Sequence, residues 1–171
     1  VVLCHETLTD TNNPEVGRAA VKVLESSGFE VIVLEKRKCC GRPLLSKGFI
    51  DEAREHAAHN VALLAPYARE GIPIVGCEPS CITMFQDDYR DLLPGPDTEL
   101  VAQHTFLILE FLVKLAAEGR LELDFDGAPR EVWVHSHCHE RAVRGTQATV
   151  AALKLVPNLS LTEINAGCCG M

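Results

Sequence analysis

One arrangement of cysteines occurs twice in this chain, and it limits the possible fold more than any other sequence feature. The letters CHE occur at Cys4 and again at Cys138, and the letters CCG occur at Cys39 and again at Cys168. In both halves a helical pattern and a strand lie between the first motif and the second. Because motifs and elements repeat together and in the same order, we predict that one structural unit has been duplicated.

The segments between these motifs predict a parallel sheet, because short β-branched runs alternate with helical patterns and parallel neighbours need such crossovers. We predict strands at residues 1–4, 30–34, 72–75, 131–135 and 159–164. The predicted helices begin at Pro14, after Asn13 as N-cap, and cover 50–70, where Pro66 kinks or shortens the helix, and 141–155. Two further helical patterns are predicted within 82–118, with a break at residues 93–96. The expected fold class is α/β, with two similar Rossmann-like halves of parallel strands, the second one truncated.

The repeat divides the chain into three segments. Residues 1–93 are predicted to form the first CCG repeat, 94–130 a helical connector, and 131–171 the second repeat. Cys77 and Cys81 belong to the first repeat and have no counterpart in the second. We therefore expect both ends of this sequence to be cut, and the natural protein to continue beyond Met171 with the missing segment.

The cysteines are expected to meet at one edge of the sheet. Cys4, Cys77 and Cys138 each lie at or just after the carboxyl end of a predicted strand, and the two CCG motifs follow strand ends within a few residues. Function in parallel α/β sheets collects at this edge. The sequence thus predicts that separate cysteine segments converge there.

Eight cysteines in such a chain indicate metal or redox chemistry in a reducing cytoplasm. Adjacent cysteines do not easily bridge each other, and a secreted disulfide scaffold would be shorter. Thiolates are soft ligands that favour iron–sulfur clusters, zinc or Cu(I). The eight candidate metal ligands are Cys4, Cys39, Cys40, Cys77, Cys81, Cys138, Cys168 and Cys169. Cys77 could equally be a small buried hydrophobic residue.

Histidines beside the CHE motifs are further candidates. His5, His137 and His139 could bind metal, donate hydrogen bonds to cluster sulfurs or move protons. His135 is better explained as part of a polar strand end. Arg42 and Lys47, beside the first CCG motif, could offset the charge of a cluster, and a solvated loop is about as good an explanation for them.

Charge and motif content exclude several classes of function. The net charge of −8 argues against nucleic acid or an anionic membrane as a partner. No run of apolar residues is long enough to span a membrane, and no GxGxxG, Walker or GxSxG motif occurs. The chain therefore shows neither a nucleotide site nor a serine nucleophile of its own.

Four stretches resemble the cysteine-rich CCG domain: CCGRPLLSKG from Cys39, EPSC from Glu78, HSHCHERAV from His135 and GCCGM from Gly167. Such domains occur in the B subunit of heterodisulfide reductase, the glycolate oxidase iron–sulfur subunit, anaerobic glycerol-3-phosphate dehydrogenase and lactate-utilisation proteins. The likeness is greatest to the C-terminal part of FAD-linked oxidases that resemble D-lactate or D-2-hydroxyglutarate dehydrogenase. There, a flavin domain, a ferredoxin-like segment and this domain share one chain.

The resemblance implies a non-cubane [4Fe–4S] cluster held by a motif of the form C…CCG…CxxC. Carried over, Cys4 is the first ligand, Cys39 and Cys40 are the pair, and Cys81 is the last. The second copy maps to Cys138 and to the pair Cys168 and Cys169. The chain departs from the motif at its CxxC, because Glu78 occupies the first position and Cys77 lies one residue earlier.

The expected function is electron transfer within a FAD and iron–sulfur oxidoreductase of the D-lactate or D-2-hydroxyglutarate dehydrogenase type. Electrons would pass from FAD on another domain through the cysteine-bound cluster to a downstream acceptor, such as a quinone or an electron carrier. The FAD-binding and ferredoxin-like domains would belong to the same chain. The fragment alone is expected to be inactive. We expect a cytoplasmic location, with peripheral membrane association or a homo-oligomer as further options.

Two alternatives stay open from the residues. A structural zinc module would use the cysteines and histidines around Cys138, and a thiol-redox domain would use Cys39 and Cys40. In the fragment itself we expect the cysteines to be empty or zinc-bound, and the tail from Gly167 to Met171 to be poorly ordered.

Overall fold

Parallel strands alternate with helices in the computed structural model, which describes residues 1–168. The main sheet has the strand order β2-β1-β3-β4. Its strands are β1 (Val2–Leu3), β2 (Ile32–Val33), β3 (Ile74–Gly76) and β4 (Thr105–Leu107). A smaller parallel sheet pairs β5 (Arg130–Val134) with β6 (Leu159–Glu163). The predicted α/β class with parallel strands is confirmed, and the internal duplication remains a proposal.

Helices connect these strands. Their bounds are α1 (Thr7–Thr11), α2 (Pro14–Ser26), α3 (Arg42–Ser46), α4 (Ile50–Arg69), α5 (Pro79–Thr83), a π-helical turn (Met84–Asp88), α6 (Tyr89–Leu92), α7 (Pro96–His104), α8 (Ile108–Ala117), α9 (Cys138–Val143) and α10 (Gln147–Leu153). The second half contacts the first where α9 packs on α5 and α10 packs on α8. Within the described residues, no helix has the length and apolarity that crossing a bilayer requires.

A hydrophobic core covers each face of the main sheet. Side chains alternate along the central strands, so that each strand contributes to both cores. Val2 of β1 pairs with Ile74 of β3, and Leu3 pairs with Val75. One core contains Val2 and Ile74 with the alanine-rich face of α4. The other contains Leu3 and Val75 with side chains of α2 and α8. We call these the α4 face and the α2/α8 face of the sheet.

The structure differs from three helix predictions in detail. Pro66 does not shorten α4, which runs on to Arg69, and a kink at Pro66 stays a prediction. The break predicted at 93–96 agrees with the structure, since α6 ends at Leu92 and α7 begins at Pro96. The second of the two helical patterns within 82–118 contains β4, however, so the predicted connector supplies a strand to the main sheet. The helix predicted at 141–155 is two helices, because Gly145 adopts φ +77° between them. A positive φ breaks the helical backbone, and glycine adopts it without steric cost.

Candidate metal centre

Four cysteines of the first half lie on the α4 face of the main sheet. Cys4 and Cys40 are buried within that core, and Cys39 and Cys81 pack against it. The Sγ atom of Cys40 is 3.2 Å from the Sγ atom of Cys81, although 41 positions separate them in sequence. The thiol of Cys39 also hydrogen-bonds to Cys40. The fold therefore brings thiols from three separate segments to one place.

The first CCG turn holds its two thiols through its own backbone. Gly41 has φ +86° and is the N-cap of α3. This conformation suits glycine and aims successive N–H groups back at the pair, so that Gly41 N–H bonds the sulfur of Cys39 and Arg42 N–H bonds that of Cys40. Such donors favour a sulfur atom that carries negative charge.

A buried clamp fixes the same turn from the side of α4. Asn60 is fully buried and its Oδ1 accepts the N–H of Lys38, at 3.0 Å. Its amide group donates to the carbonyls of Lys38 and Cys39 and to the hydroxyl oxygen of Tyr89. The Tyr89 hydroxyl in turn donates to the Cys40 carbonyl at 2.8 Å. The backbone on both sides of the cysteine pair is thereby held in one conformation.

Arg42 joins the CCG turn to the segment that carries Cys81. Its guanidinium pairs with Asp88 at 2.5 Å and donates to the carbonyl of Ser80 at 3.2 Å. Only 16% of the Arg42 side chain is exposed, so it is not part of a solvated loop. Its charge is already partly balanced by Asp88. Lys47 is exposed, at the end of α3.

Burial keeps these thiols protonated when no metal is bound. It raises the pKa of Cys4 to about 12, against the opposing charge of Arg37. For Cys40, the hydrogen bond from Cys39 lowers the pKa, but the bond to Cys81 and burial raise it further, to about 12. The hydrogen bond to Cys40 and burial likewise raise the pKa of Cys39. A metal that binds here must displace these protons, because the thiolate is the ligand.

Cys77 lies apart from the other first-half cysteines. It packs on the α2/α8 face, whereas Cys81 packs on the α4 face. Burial, followed by the charges of Glu6 and Glu78, raises the pKa of Cys77 to about 12. It lines a cavity of about 220 Å³ that also contacts His135, His137 and Glu140 of the second half. Cys77 is therefore partly buried and packs apart from the thiols of the α4 face, and its role as a ligand or a packing residue stays a prediction.

The second-half motif forms a compact group at the start of α9. His137, Cys138 and His139 place three potential ligand atoms within 4.8 Å of one another. The Nδ1 atom of His139 is buried and has no hydrogen-bond partner among the described residues. Burial, and then the charge of Arg42, lower the pKa of His139 and favour its neutral, metal-binding form. His137 Nε2 lies 3.6 Å from the Glu78 carboxylate of the first half.

The chain before Cys168 folds back on this motif. The carbonyl of Gly167 is 2.8 Å from His135 Nε2 and accepts a hydrogen bond from Arg141. Arg141 also donates to the Ala166 carbonyl. Cys168 is exposed. Cys169, and with it most of the tail predicted to be poorly ordered, lies outside the described residues.

The His5 ring contacts other parts of the fold rather than the cysteine thiols. Its Nδ1 atom contacts the Asp10 carboxylate at 2.7 Å, and its Nε2 atom contacts the Leu34 carbonyl at 2.9 Å. Both ring nitrogens are thus engaged, which links the ends of β1 and β2. A role for His5 in proton transfer remains only a prediction.

The donor sets fit two different kinds of metal group. A single zinc ion places thiolates about 2.3 Å from one centre, so its ligand atoms must lie close together. Among the described residues, the only set of three that meets the 4.8 Å spacing is His137, Cys138 and His139. An iron–sulfur cluster is larger than a single ion and would be held by thiolates spread over a wider space. The thiols on the α4 face, with N–H donors aimed at the cysteine pair, fit a cluster.

Three functional candidates were missed by the sequence interpretation. Asn60 and Tyr89 lie in helical patterns, where a polar residue is usually solvated, and only the fold shows them at the CCG turn. Glu6 is part of the CHE motif, so its recurrence at Glu140 was the available signal. Both glutamates are buried, at 2% and 4% exposed.

Comparisons with known proteins identify a family and several relatives. The family model "CCG: Cysteine-rich domain" matches residues 2–86. The C subunit of anaerobic glycerol-3-phosphate dehydrogenase from Escherichia coli is 32% identical over 172 residues, covering 100% of this chain and 43% of that protein. Lactate utilization protein A of an Exiguobacterium species is 32% identical over 184 residues, covering 99% and 70%. The Bacillus pumilus protein of that name is 31% identical over 170 residues, covering 95% and 68%.

The extent of these matches is uneven. The chain spans less than half the length of the glycerol-3-phosphate dehydrogenase protein, but about two thirds of the lactate utilization proteins. The family model covers the first CCG motif and the EPSC segment, and it stops before the second half. No solved structure gives a significant match.

Proposed function

Because this chain belongs to the family of CCG cysteine-rich domains, we propose that it is an iron–sulfur electron-transfer part of a larger dehydrogenase. The grouping of Cys4, Cys39, Cys40 and Cys81 on one face of the sheet carries the proposal. When bound, a [4Fe–4S] cluster supplies one-electron transfer. The chain's own residues hold the thiols, exclude water from Cys4 and Cys40, and donate N–H groups to sulfur.

The proposed ligands differ in how they are supported. The sulfur contact between Cys40 and Cys81 and the hydrogen bond between Cys39 and Cys40 support those three. Cys4 is the fourth, buried beside Cys40 at the end of β1. Cys77 is left out of the proposed set because it packs on the other face.

The larger enzyme is proposed from the relatives. They are named for a glycerol-3-phosphate dehydrogenase and for lactate utilization, and lactate is a 2-hydroxy acid. We place this chain in a cytoplasmic FAD-dependent 2-hydroxy-acid oxidoreductase of the D-lactate or D-2-hydroxyglutarate type. FAD and a ferredoxin-like domain would lie on other parts of the enzyme. The acceptor would be a quinone or an electron carrier, and association with the membrane would be peripheral.

Anaerobic reconstitution tests the cluster. The protein is incubated with iron and sulfide under reducing conditions, desalted, and analysed for both elements and by EPR after reduction. We expect about four irons and four sulfides per chain at this site, and a spectrum that disappears in Cys81→Ser. A protein that takes up zinc but neither iron nor sulfide would show that the proposal is wrong.

The second half favours a different occupant, so zinc is a second candidate. The observation is the close set formed by His137, Cys138 and His139, in which the buried His139 Nδ1 has no partner within residues 1–168. A mononuclear zinc ion takes such mixed nitrogen and sulfur ligands. The competing proposal is that Cys138, Cys168 and Cys169 hold a second cluster within a second repeat at 131–171.

Cobalt substitution separates these two proposals for the second half. Co²⁺ at a site of mixed histidine and cysteine ligands gives visible absorption bands that depend on both ligand types. We expect His139→Ala to abolish these bands if a single ion binds. If cobalt bands are absent and iron content instead falls in Cys138→Ser, the second cluster is supported.

A further inference from the structure

The glutamate of the first CHE motif ties together two cysteine-bearing segments that are far apart in sequence. Glu6 is only 2% exposed. Its Oε1 atom accepts the N–H groups of Cys77, at 2.8 Å, and Glu78, at 3.1 Å. Its Oε2 atom accepts the hydroxyl of Thr9 at 2.9 Å. Both carboxylate oxygens are therefore used within the protein, and Glu6 is not available as a metal ligand.

Gly76 leaves the space that this carboxylate occupies. A Cβ atom at Gly76 would lie 2.7 Å from Glu6 Oε1 and 2.4 Å from Ile82 Cδ1. Both distances are shorter than the van der Waals contact between a carbon atom and a carboxylate oxygen or a methyl group. Ile82 is fully buried and has little room to move. The glycine at the end of β3 is thus required by the Glu6 contact and by the close packing of α5.

These contacts determine where Cys81 lies. The residues held by Glu6 lead directly into α5, whose first turn carries Cys81. The backbone of Cys77 and Glu78 is fixed by the carboxylate on one side and by β3 on the other. A shift of this backbone would move the Cys81 thiol away from Cys40, which it meets at 3.2 Å.

We propose that Glu6 is a positioning residue for the metal centre: its carboxylate holds the Cys77–Cys81 segment so that Cys81 joins Cys40, and places a negative charge beside the thiols. This inference rests on the proposed cluster. Hydrogen-bond partners just outside a metal site can change metal affinity by about 10- to 100-fold, and the net charge nearby helps to set the reduction potential of a cluster.

The second CHE motif repeats the arrangement in outline. Glu140 is 4% exposed and accepts a hydrogen bond from the hydroxyl of Thr149. A buried glutamate bonded to a threonine hydroxyl therefore occurs in both halves. A packing role alone does not require an acidic residue at the same place twice, since burying a carboxylate is costly unless it has partners.

Three substitutions test the position and the charge separately, in the anaerobically reconstituted protein. Glu6→Ala removes the contact, and Gly76→Ala displaces it. Glu6→Gln keeps an oxygen for both N–H groups and removes the charge, while an NH2 group replaces the oxygen that accepts the Thr9 hydroxyl. Glu15→Gln is the control, because Glu15 is an exposed acidic residue in the first turn of α2.

We expect iron to be retained about 10- to 100-fold less tightly in Glu6→Ala and Gly76→Ala. In Glu6→Gln the iron content should stay at the wild-type level, while the cluster's reduction potential becomes more positive and its EPR signal shifts. Glu15→Gln should match the wild type throughout. A role in stability alone would leave the potential of Glu6→Gln unchanged, and that result would overturn the electrostatic part of the proposal.

A readout in the metal-free protein keeps this inference separate from the proposed cluster. The thiol of Cys81 is labelled with a maleimide and the modified peptide is quantified. We expect faster labelling in Glu6→Ala than in the wild type, because the segment is released.

Equal labelling, together with equal iron content, would overturn the positioning role. A wild type without iron but with faster labelling in Glu6→Ala would overturn only the cluster. If Glu6→Ala does not fold, the potential of Glu6→Gln decides the outcome.

Discussion

At the scale of single residues, the sheet separates cysteines that the sequence places side by side. Cys77 directly precedes the EPSC segment and Cys81 ends it, yet the two pack on opposite faces of the sheet. The reason is the alternation of β3, which places Val75 and Cys77 on the α2/α8 face. Proximity in sequence is therefore a poor guide to which thiols can share a metal.

Serine substitutions should distinguish these faces. We expect Cys40→Ser and Cys81→Ser to lose the reconstituted cluster, because each removes one thiolate of the proposed set. Cys77→Ser is the matched control and should keep its iron and sulfide. The measurement is metal and sulfide content per chain after anaerobic desalting. Loss of iron in Cys77→Ser, with normal circular dichroism, would place Cys77 among the ligands.

Asn60 offers a residue-scale test of stability that does not depend on metal. Asn60→Ala would remove the acceptor of the Lys38 N–H and the amide donor shared by the Lys38 carbonyl and the buried Tyr89 oxygen, and an unpaired buried polar group costs about 1–3 kcal/mol. We expect the free energy of unfolding of the metal-free protein to fall by about that amount in urea. The neighbouring His59→Ala removes one exposed contact, to the Lys36 carbonyl, and should change it by about 0.5 kcal/mol or less.

At the scale of elements, the CCG turn and the start of α3 form one unit around Gly41. Its positive φ is what aims two N–H groups at the cysteine pair. Gly48, at the other end of α3, has a similar φ of +83°, and a Cβ atom placed on it would meet no other atom within 4 Å. The two glycines share a backbone conformation, but only the conformation of Gly41 directs N–H groups at the cysteine pair.

This pair gives a matched experiment on one short helix. Alanine in the left-handed region costs about 1–2 kcal/mol, so Gly41→Ala and Gly48→Ala should destabilise the metal-free protein to a similar extent in urea. Only Gly41→Ala should also weaken iron binding, because it turns the N–H donors away from Cys39 and Cys40. Equal iron retention in the two variants would show that the turn does not contribute to the site.

Elements that depend on local sequence signals were predicted, and features that depend on contacts between distant parts of the chain were missed. The start of α2 at Pro14 and the strand leading to Cys77 follow from local signals, and both predictions agree with the structure, although the Asn13 side chain makes no capping hydrogen bond. The strand at Thr105–Leu107 was missed because its neighbours are strongly helical and its pairing with β3 is non-local. The clamp at Asn60 and the separation of Cys77 from Cys81 depend on tertiary packing, which periodicity does not report.

At the scale of the whole molecule, burial is concentrated in the first two thirds of the chain. Among the residues described after position 120, only Glu140 and Ala152 are buried. The β5–β6 sheet has two strands, and Trp133 on β5 is 63% exposed. A two-stranded sheet has little stability of its own. Most of the stability of this unit must come from the packing of α9 on α5 and of α10 on α8.

The single tryptophan makes this difference measurable. Trp133 fluorescence reports on the β5–β6 unit, whereas far-UV circular dichroism reports on all helices. We expect the fluorescence transition to occur at a lower urea concentration than the circular dichroism transition, since locally weak regions open first. Acrylamide should also quench Trp133 efficiently in the native protein. Coincident transitions would show that the two halves unfold as one cooperative unit.

The contact between the sulfurs of Cys40 and Cys81 also makes the metal-free chain vulnerable to air. Oxidation of this pair would form a disulfide that closes a loop of about 40 residues. Because the loop restricts the unfolded chain, the free energy of unfolding would rise by about 4 kcal/mol. The product would be more resistant to denaturation and unable to take up iron until a reductant opened it. A preparation handled aerobically should therefore combine high thermal stability with no capacity for reconstitution, and dithiothreitol should reverse both properties.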